Sequence, residues 1–167
     1  MSKIKFLKIR NVKNPTRANS SDSGIDFFIP NDLTEVQVTP STFYGKEEVE
    51  NWFITILPWT WVLIPTWIKT IIEEGYDLVF ENKSGVSVKY WLVIWAKVVD
   101  SSYRWEVHIH LINTSKEVIK VELWQKVAQG VIRKVENDIP EEISEEEFKK
   151  FENTDRGSWG FGSTWEK

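Results

Sequence analysis

The residues best suited to chemistry fall in three stretches. In "DRGSWGFGSTWEK", residues 155–167, Gly157, Gly160 and Gly162 free backbone N–H groups to converge on an anion. Ser163 and Thr164 add hydroxyl donors, and Arg156 supplies a planar fork matched to phosphate oxygens. The same composition also suits a flexible polar tail. A dinucleotide-binding reading fails, because no helix follows on which a pyrophosphate could sit. In "ENKSGVSVKY", Lys83, Ser84 and Gly85 stand between two strand-like runs, as a phosphate contact or as an ordinary Ser/Gly turn. In "KVVDSSYRWE", Asp100 ends an apolar strand and Tyr103 follows three residues later. A carboxylate so placed can act as a general base and an aromatic ring can pack on a sugar, although an isolated Asp there also forms turns. His108 and His110 share a strand face, but no third ligand stands at a recognisable spacing, which favours a polar face over a metal pair.

These residues must be carried by strands. Runs rich in β-branched and aromatic residues, among them "IDFFIP", "YDLVFEN", "WLVIWAKVVD" and "KVAQGVIRKV", recur between turn residues with no long helix separating them. That pattern predicts an all-β barrel or sandwich. "EVHIHLIN" alternates cleanly, Val107, Ile109 and Leu111 on one face and Glu106, His108 and His110 on the other. One short helix is marked by Ser144 with Glu147 three residues on, a capping box opening "EEEFKKFEN". A second is expected over "EEVENWFITI". Residues 153–167 lack hydrophobic period and read as a mobile arm beyond a domain spanning 1–152.

Composition bounds the rest. The chain has 167 residues, suiting one core-forming domain, and 14% aromatic residues argue against general disorder. No cysteine is present, which excludes disulfides and thiolate chemistry and fits a reducing cytoplasmic setting. "MSKIKFLKIR" lacks the apolar run of a secretory signal, and "WFITILPWTWVLIPTWI" is interrupted by Pro58 and Pro65, so no membrane span is expected. Seven carboxylates crowd 136–147 within a net charge of −4, leaving the remainder too weakly basic for stable nucleic-acid binding. The acidic run reads as a solvated helix face or a docking surface for a partner.

The order "SGIDFFIP", "NKSGVSVKY", "VVDSSYRWE", "KVAQG", "RGSWGFGSTW" resembles the five sequential motifs of the trimeric dUTPases, from about residue 22 to the C-terminus. The resemblance implies a jelly-roll-like subunit, a homotrimer with shared active sites, and magnesium-dependent hydrolysis of dUTP to dUMP and pyrophosphate. Asp100 matches the general base, Ser84 a residue at the bridging oxygen, and Tyr103 the ring that packs on deoxyribose. The strand backbone from Lys97 to Val99 would read the uracil edge. Lys83 stands where the family usually has arginine, keeping charge but losing the bidentate fork. Gly85 lies in the same phosphate-contacting motif. Asp26 and Gln129 match polar residues around the magnesium–water–triphosphate assembly, Asp26 acting on the metal through water. Arg156, Gly162, Ser163 and Thr164 would hold the terminal phosphates, and Phe161 would cover the uracil. A dCTP deaminase-like enzyme, or a nucleotide-sensing regulatory protein on the same scaffold, are the competing functions.

The departures from the family pattern run in one direction. Trp59, Trp67, Trp91, Trp105, Trp124, Trp159 and Trp165 stand where that pattern has glycine. A β-carbon at a backbone needing positive φ costs on the order of 1 kcal/mol, and several together approach a domain's whole margin. A gene reading UGA as glycine, translated with UGA as tryptophan, would give this pattern. Genuine tryptophans filling the barrel or trimer core are the alternative, with Trp52 and Trp61 first among native ones. If all are genuine, Trp105 and Trp159 predict weak or absent catalysis.

Overall fold

The computed structural model describes residues 3–38 and 45–154. Asn113 shows how the strands are tied: fully buried, it donates from Nδ2 to the carbonyls of Ile56 (3.0 Å), Leu57 (3.1 Å) and Glu117 (2.7 Å). Among the described residues, twelve strands and two short helices form. One sheet contains β1 (Ile4–Lys8), β3 (Glu35–Val38), β4 (Gly45–Glu48), β6 (Trp61–Ile72), β8 (Leu92–Ile94) and β10 (Glu106–Asn113), in the order β4-β3-β6-β10-β8, with β1 also on β6. A second has the order β2-β12-β7-β9, from β2 (Ile25–Phe28), β12 (Lys126–Lys134), β7 (Tyr76–Asn82) and β9 (Val98–Val99). The strands β5 (Phe53–Ile56) and β11 (Ile119–Glu122) make a third. All named pairings are antiparallel.

The all-β expectation holds. In β10, Val107, Ile109 and Leu111 are buried while Glu106, His108 and His110 stay partly exposed, as the alternation predicts. Phe27 of β2 and Phe80 of β7 meet edge to face at 4.8 Å inside the core. Pro65 is tolerated within β6 because it faces a register break in β10 between Glu106 and His108.

Two expectations are corrected. The "NKSGVSVKY" stretch is not a plain loop but holds α1 (Ser84–Tyr90), with Lys83 as N-cap. The helix expected over "EEVENWFITI" is replaced by β4, a tight turn and β5. That turn is closed by the Phe53 N–H donating to Glu50 O at 2.9 Å, and its central residues, Asn51 and Trp52, have φ of 50° and 69°. Two successive positive φ values belong to a hairpin turn and cannot continue a helix. The chain divides into two compact units, Met1–Glu136 and Asn137–Lys167. The second contains α2 (Glu145–Phe148), where Ser144 Oγ accepts from the Glu147 N–H at 3.2 Å, the expected cap.

Trp52, expected as a native core filler, is instead 68% exposed in the left-handed region. Among the described residues, the non-glycine residues with positive φ are Asn51, Trp52, Trp59, Trp67, Trp91 and Trp124. Trp61 lies in β6, edge-on to His110 at 4.8 Å.

Candidate functional site

Two clusters form on the β2-β12-β7-β9 sheet. The first depends on β12 running between β2 and β7, which sets Gln129 opposite Asp26 and Ala128 opposite Asn82. Asp26 is 4% exposed and holds two ammonium groups: Lys83 Nζ lies 2.6 Å from Oδ1 and Lys126 Nζ 2.9 Å from Oδ2. Burial alone would push the Asp26 carboxyl up, but hydrogen bonds from Lys83 and then Lys126 overcome this and hold it below its ordinary value. Gln129 Nε2 donates to Asn82 O at 2.9 Å, fastening β12 beside the residue that leads into Lys83 and Ser84. A β-carbon on Gly24 would lie 2.1 Å from Gln129 Oε1, so glycine is what lets that amide lie there. At Gly85 a β-carbon would meet nothing within 4 Å; the backbone there borders open space. Lys126 escaped the sequence reading. Its only sign was its place three residues before Gln129, where a bulge between Lys126 and Ala128 redirects the side chain.

Each Asp26 oxygen accepts from one ammonium, and among the described residues no group of three or more His, Asp or Glu could hold an ion directly.

The second cluster follows β9. Asp100 and Tyr103 are joined in a turn by the Tyr103 N–H donating to Asp100 O at 3.0 Å. The Tyr103 hydroxyl donates to Glu106 O at 2.8 Å, fixing the ring. Asp100 is exposed, and among the described residues none donates a hydrogen bond to its carboxylate. A cavity of about 260 Å³ opens beside the turn, lined by Lys97, Val98, Val99, Tyr103, His108 and His110 among others. That is just below the usual range for ligand pockets and suits a nucleoside better than a whole triphosphate.

Lys97 accepts from the Phe80 N–H at 2.8 Å, and its ammonium pairs with Glu81 at 2.7 Å. Lys97 is thus tied to β7 through both backbone and side chain. In an antiparallel pair the next residue turns its N–H and C=O the other way. Val98, paired with Val79, therefore presents a donor and an acceptor on the edge of β9 that no strand covers among the described residues. The resemblance implies base recognition along the backbone from Lys97 to Val99, and the outward-facing groups there are those of Val98.

His108 and His110 border the cavity. His108 Nδ1 is 3.1 Å from Glu106 O, and burial pushes His110 below its ordinary value. Trp105, 70% exposed, stands edge to face with Tyr103 at 5.6 Å.

The clusters do not meet within one chain. Leu78 pairs with Val99, so Asp100 lies level with Asp77, at the opposite end of β7 from Lys83. From Asp77 to the end of β7 at Asn82 is about 17 Å along the strand. The expected ligands Arg156, Phe161, Gly162, Ser163 and Thr164 lie outside the described residues.

A family model described as dUTPase matches residues 53–165. The deoxyuridine 5'-triphosphate nucleotidohydrolase of Chlamydia muridarum is 37% identical over 115 residues, 68% of this chain and 77% of that protein. That of Helicobacter pylori is 33% identical over 134 residues, 79% of this chain and 88% of that protein. The Staphylococcus bacteriophage 80alpha dUTPase, solved with dUPNHPP, shares the fold with a TM-score of 0.72 at 22% identity, covering 98% of this chain and 99% of that one. With the ordered motifs, the β fold and the family match in agreement, this chain belongs to the dUTPase family.

Proposed function

We propose that the chain hydrolyses dUTP to dUMP and pyrophosphate at sites assembled between subunits. The observation that carries this reading is the Asp100–Tyr103 turn at the mouth of a nucleoside-sized cavity whose edge is open strand backbone. The Val98 N–H and C=O offer a uracil edge the donor and acceptor that a pairing base would offer. Tyr103, held by Glu106, packs on the sugar, where a 2′-hydroxyl would collide with the ring. Asp100 takes a proton from water as the water oxygen bonds to the α-phosphorus. The bond from that phosphorus to the bridging oxygen breaks, and pyrophosphate leaves with the electron pair. A divalent cation bound by the triphosphate itself would supply charge neutralisation there, and no residue of this chain is assigned to hold it directly.

Asp100 and Ser84 are both assigned to the α-phosphate region, yet one chain sets them at opposite ends of β7. A shared site, with Asp100 from one subunit and the Asp26–Lys83–Ser84–Gln129 group from another, resolves that separation. Arg156, Gly162, Ser163 and Thr164 are assigned to the terminal phosphates and Phe161 to the base.

Pyrophosphate release measured with dUTP, dCTP and dTTP tests the reading. We expect release with dUTP alone, and a loss of about 10²-fold or more in Asp100→Asn with little change in nucleotide binding. Equal turnover of dCTP, or full activity in Asp100→Asn, would sink it.

A further inference from the structure

The geometry points to Lys126 as a second phosphate-binding cation, held with Lys83 in a two-ammonium clamp for which Asp26 is the positioning residue. One lysine would neutralise the Asp26 carboxylate; two leave the trio with a net positive charge. Their ammonium groups are reached by solvent, with side chains 25% and 44% exposed against 6% for Asp26. Each ammonium has three donors, and one carboxylate contact leaves the others of each free to meet an incoming anion. Anchoring both on opposite oxygens of one buried carboxylate fixes the spacing of two cationic donors. A guanidinium fork does this within a single side chain, and Lys83 alone does not. Asp26 and Lys126 stand on the paired strands β2 and β12, and Lys83 is the N-cap directly after β7, which pairs with β12 through Asn82 and Ala128, so the sheet brings the three together.

This inference rests on the dUTP reading for the identity of its anion, and its test separates the two. Tripolyphosphate and deoxyuridine serve as separate probes for the two ends of the substrate. Lys126→Gln should weaken tripolyphosphate binding about tenfold, leave deoxyuridine binding unchanged and raise KM for dUTP more than it lowers kcat. Lys126→Arg should restore tripolyphosphate binding. Equal loss of both probes, or loss of neither, overturns the clamp. A parent protein that binds tripolyphosphate through Lys126 but does not turn over dUTP would refute the activity and keep the clamp.

A separate observation carries a second inference. We infer that Trp52, Trp59, Trp67, Trp91 and Trp124 occupy positions built for glycine, and that the gene encodes them by UGA read as glycine. Each sits in the left-handed region, φ between 56° and 69°, at a place where glycine has a defined task. Asn51–Trp52 forms the centre of a hairpin turn in which both φ values are positive, the site of Asn-Gly. Pro58–Trp59 forms the centre of a turn closed by the Thr60 N–H to Leu57 O at 3.3 Å, the site of Pro-Gly. Trp91 ends α1 with φ 56° and ψ 28°, its N–H donating to Ser87 O at 2.9 Å, where helices most often place glycine. Trp124 is the third residue of a turn closed by the Gln125 N–H to Glu122 O at 3.3 Å. Trp67 lies in the irregular pairing opposite Glu106 and His108. Trp61, Trp95 and Trp105 are absent from the positive-φ set, so this backbone does not dictate glycine for every tryptophan.

The codons decide the genetic claim: UGA at the five positions with UGG at Trp61 is expected, and UGG at the five overturns it. Stability tests the backbone claim on the purified chain. Trp52→Gly, Trp59→Gly and Trp91→Gly should each raise the folded-to-unfolded ratio about fivefold, whereas alanine at the same sites should give much less. Alanine matching glycine would show that the indole and not the β-carbon is at fault, and would overturn the assignment.

Discussion

Asp26 keeps its charge while almost out of water, and that links folding stability to acid pH. Its folded carboxyl titrates below its ordinary value because Lys83 and Lys126 outweigh burial. The folded state therefore binds fewer protons than the unfolded one as pH falls past the unfolded value of about 3.9. The contribution is complete above that value and is lost as pH drops through the folded one. Asp26→Asn should cost about 1–3 kcal/mol near neutrality, since two ammonium contacts lose their charged acceptor. The cost should shrink as pH falls below the unfolded value, where the unfolded chain takes up a proton that folded Asp26 resists; urea unfolding of both proteins at neutral and acid pH measures it, and a pH-independent difference would contradict the argument. Asp100 and Tyr103 were legible because their turn is local. The Lys126–Asp26 contact spans 100 residues of sequence, and no spacing in either motif discloses that these side chains share an oxygen pair.

Elements were legible where one face is buried and period two repeats, as in β10. They were obscured where a turn lacked its usual residue. "ENW" carries no hairpin mark, and the positive φ of Asn51 and Trp52 sets a tight turn, bridged by Glu50 and Phe53, where a helix is expected. With only Val86 buried, α1 offered too little apolar period to be read from sequence. The reverse holds for α2, found through its cap alone, since none of its residues is buried. A helix with no packing face depends on its terminus. Ser144→Ala should lower local helix stability by about 1 kcal/mol. Backbone chemical shifts of residues 145–148 should move toward coil values while the melting temperature of the Met1–Glu136 unit stays fixed. A drop in that melting temperature would mean the cap serves more than its own helix.

At the scale of the whole molecule, the length of β7 imposes an assembly rule on the proposed reaction. Asp100, the proposed base, and the proposed Lys83–Lys126 clamp sit at opposite ends of that strand, about 17 Å apart along it, while a proton transfer and its α-phosphate contact need groups within hydrogen-bond reach. No rearrangement inside the sheet brings them together without breaking the β12–β7 and β7–β9 pairings that hold both. A neighbouring copy can. The rule predicts complementation between two defective proteins: Asp100→Asn lacks the base and Lys83→Gln lacks the clamp, and each alone should be nearly inactive. Unfolded together in equal amounts and refolded, they should form some sites with an intact base from one chain and an intact clamp from the other. Random mixing makes that roughly one half times one half, about a quarter of all sites, for a closed symmetric oligomer. Recovery of about a quarter of parental dUTP turnover, absent when the proteins are mixed without unfolding, would establish the shared site. Failure to recover activity in refolded mixtures that demonstrably contain both chains in one oligomer would place both functions in one chain and overturn the strand-length argument.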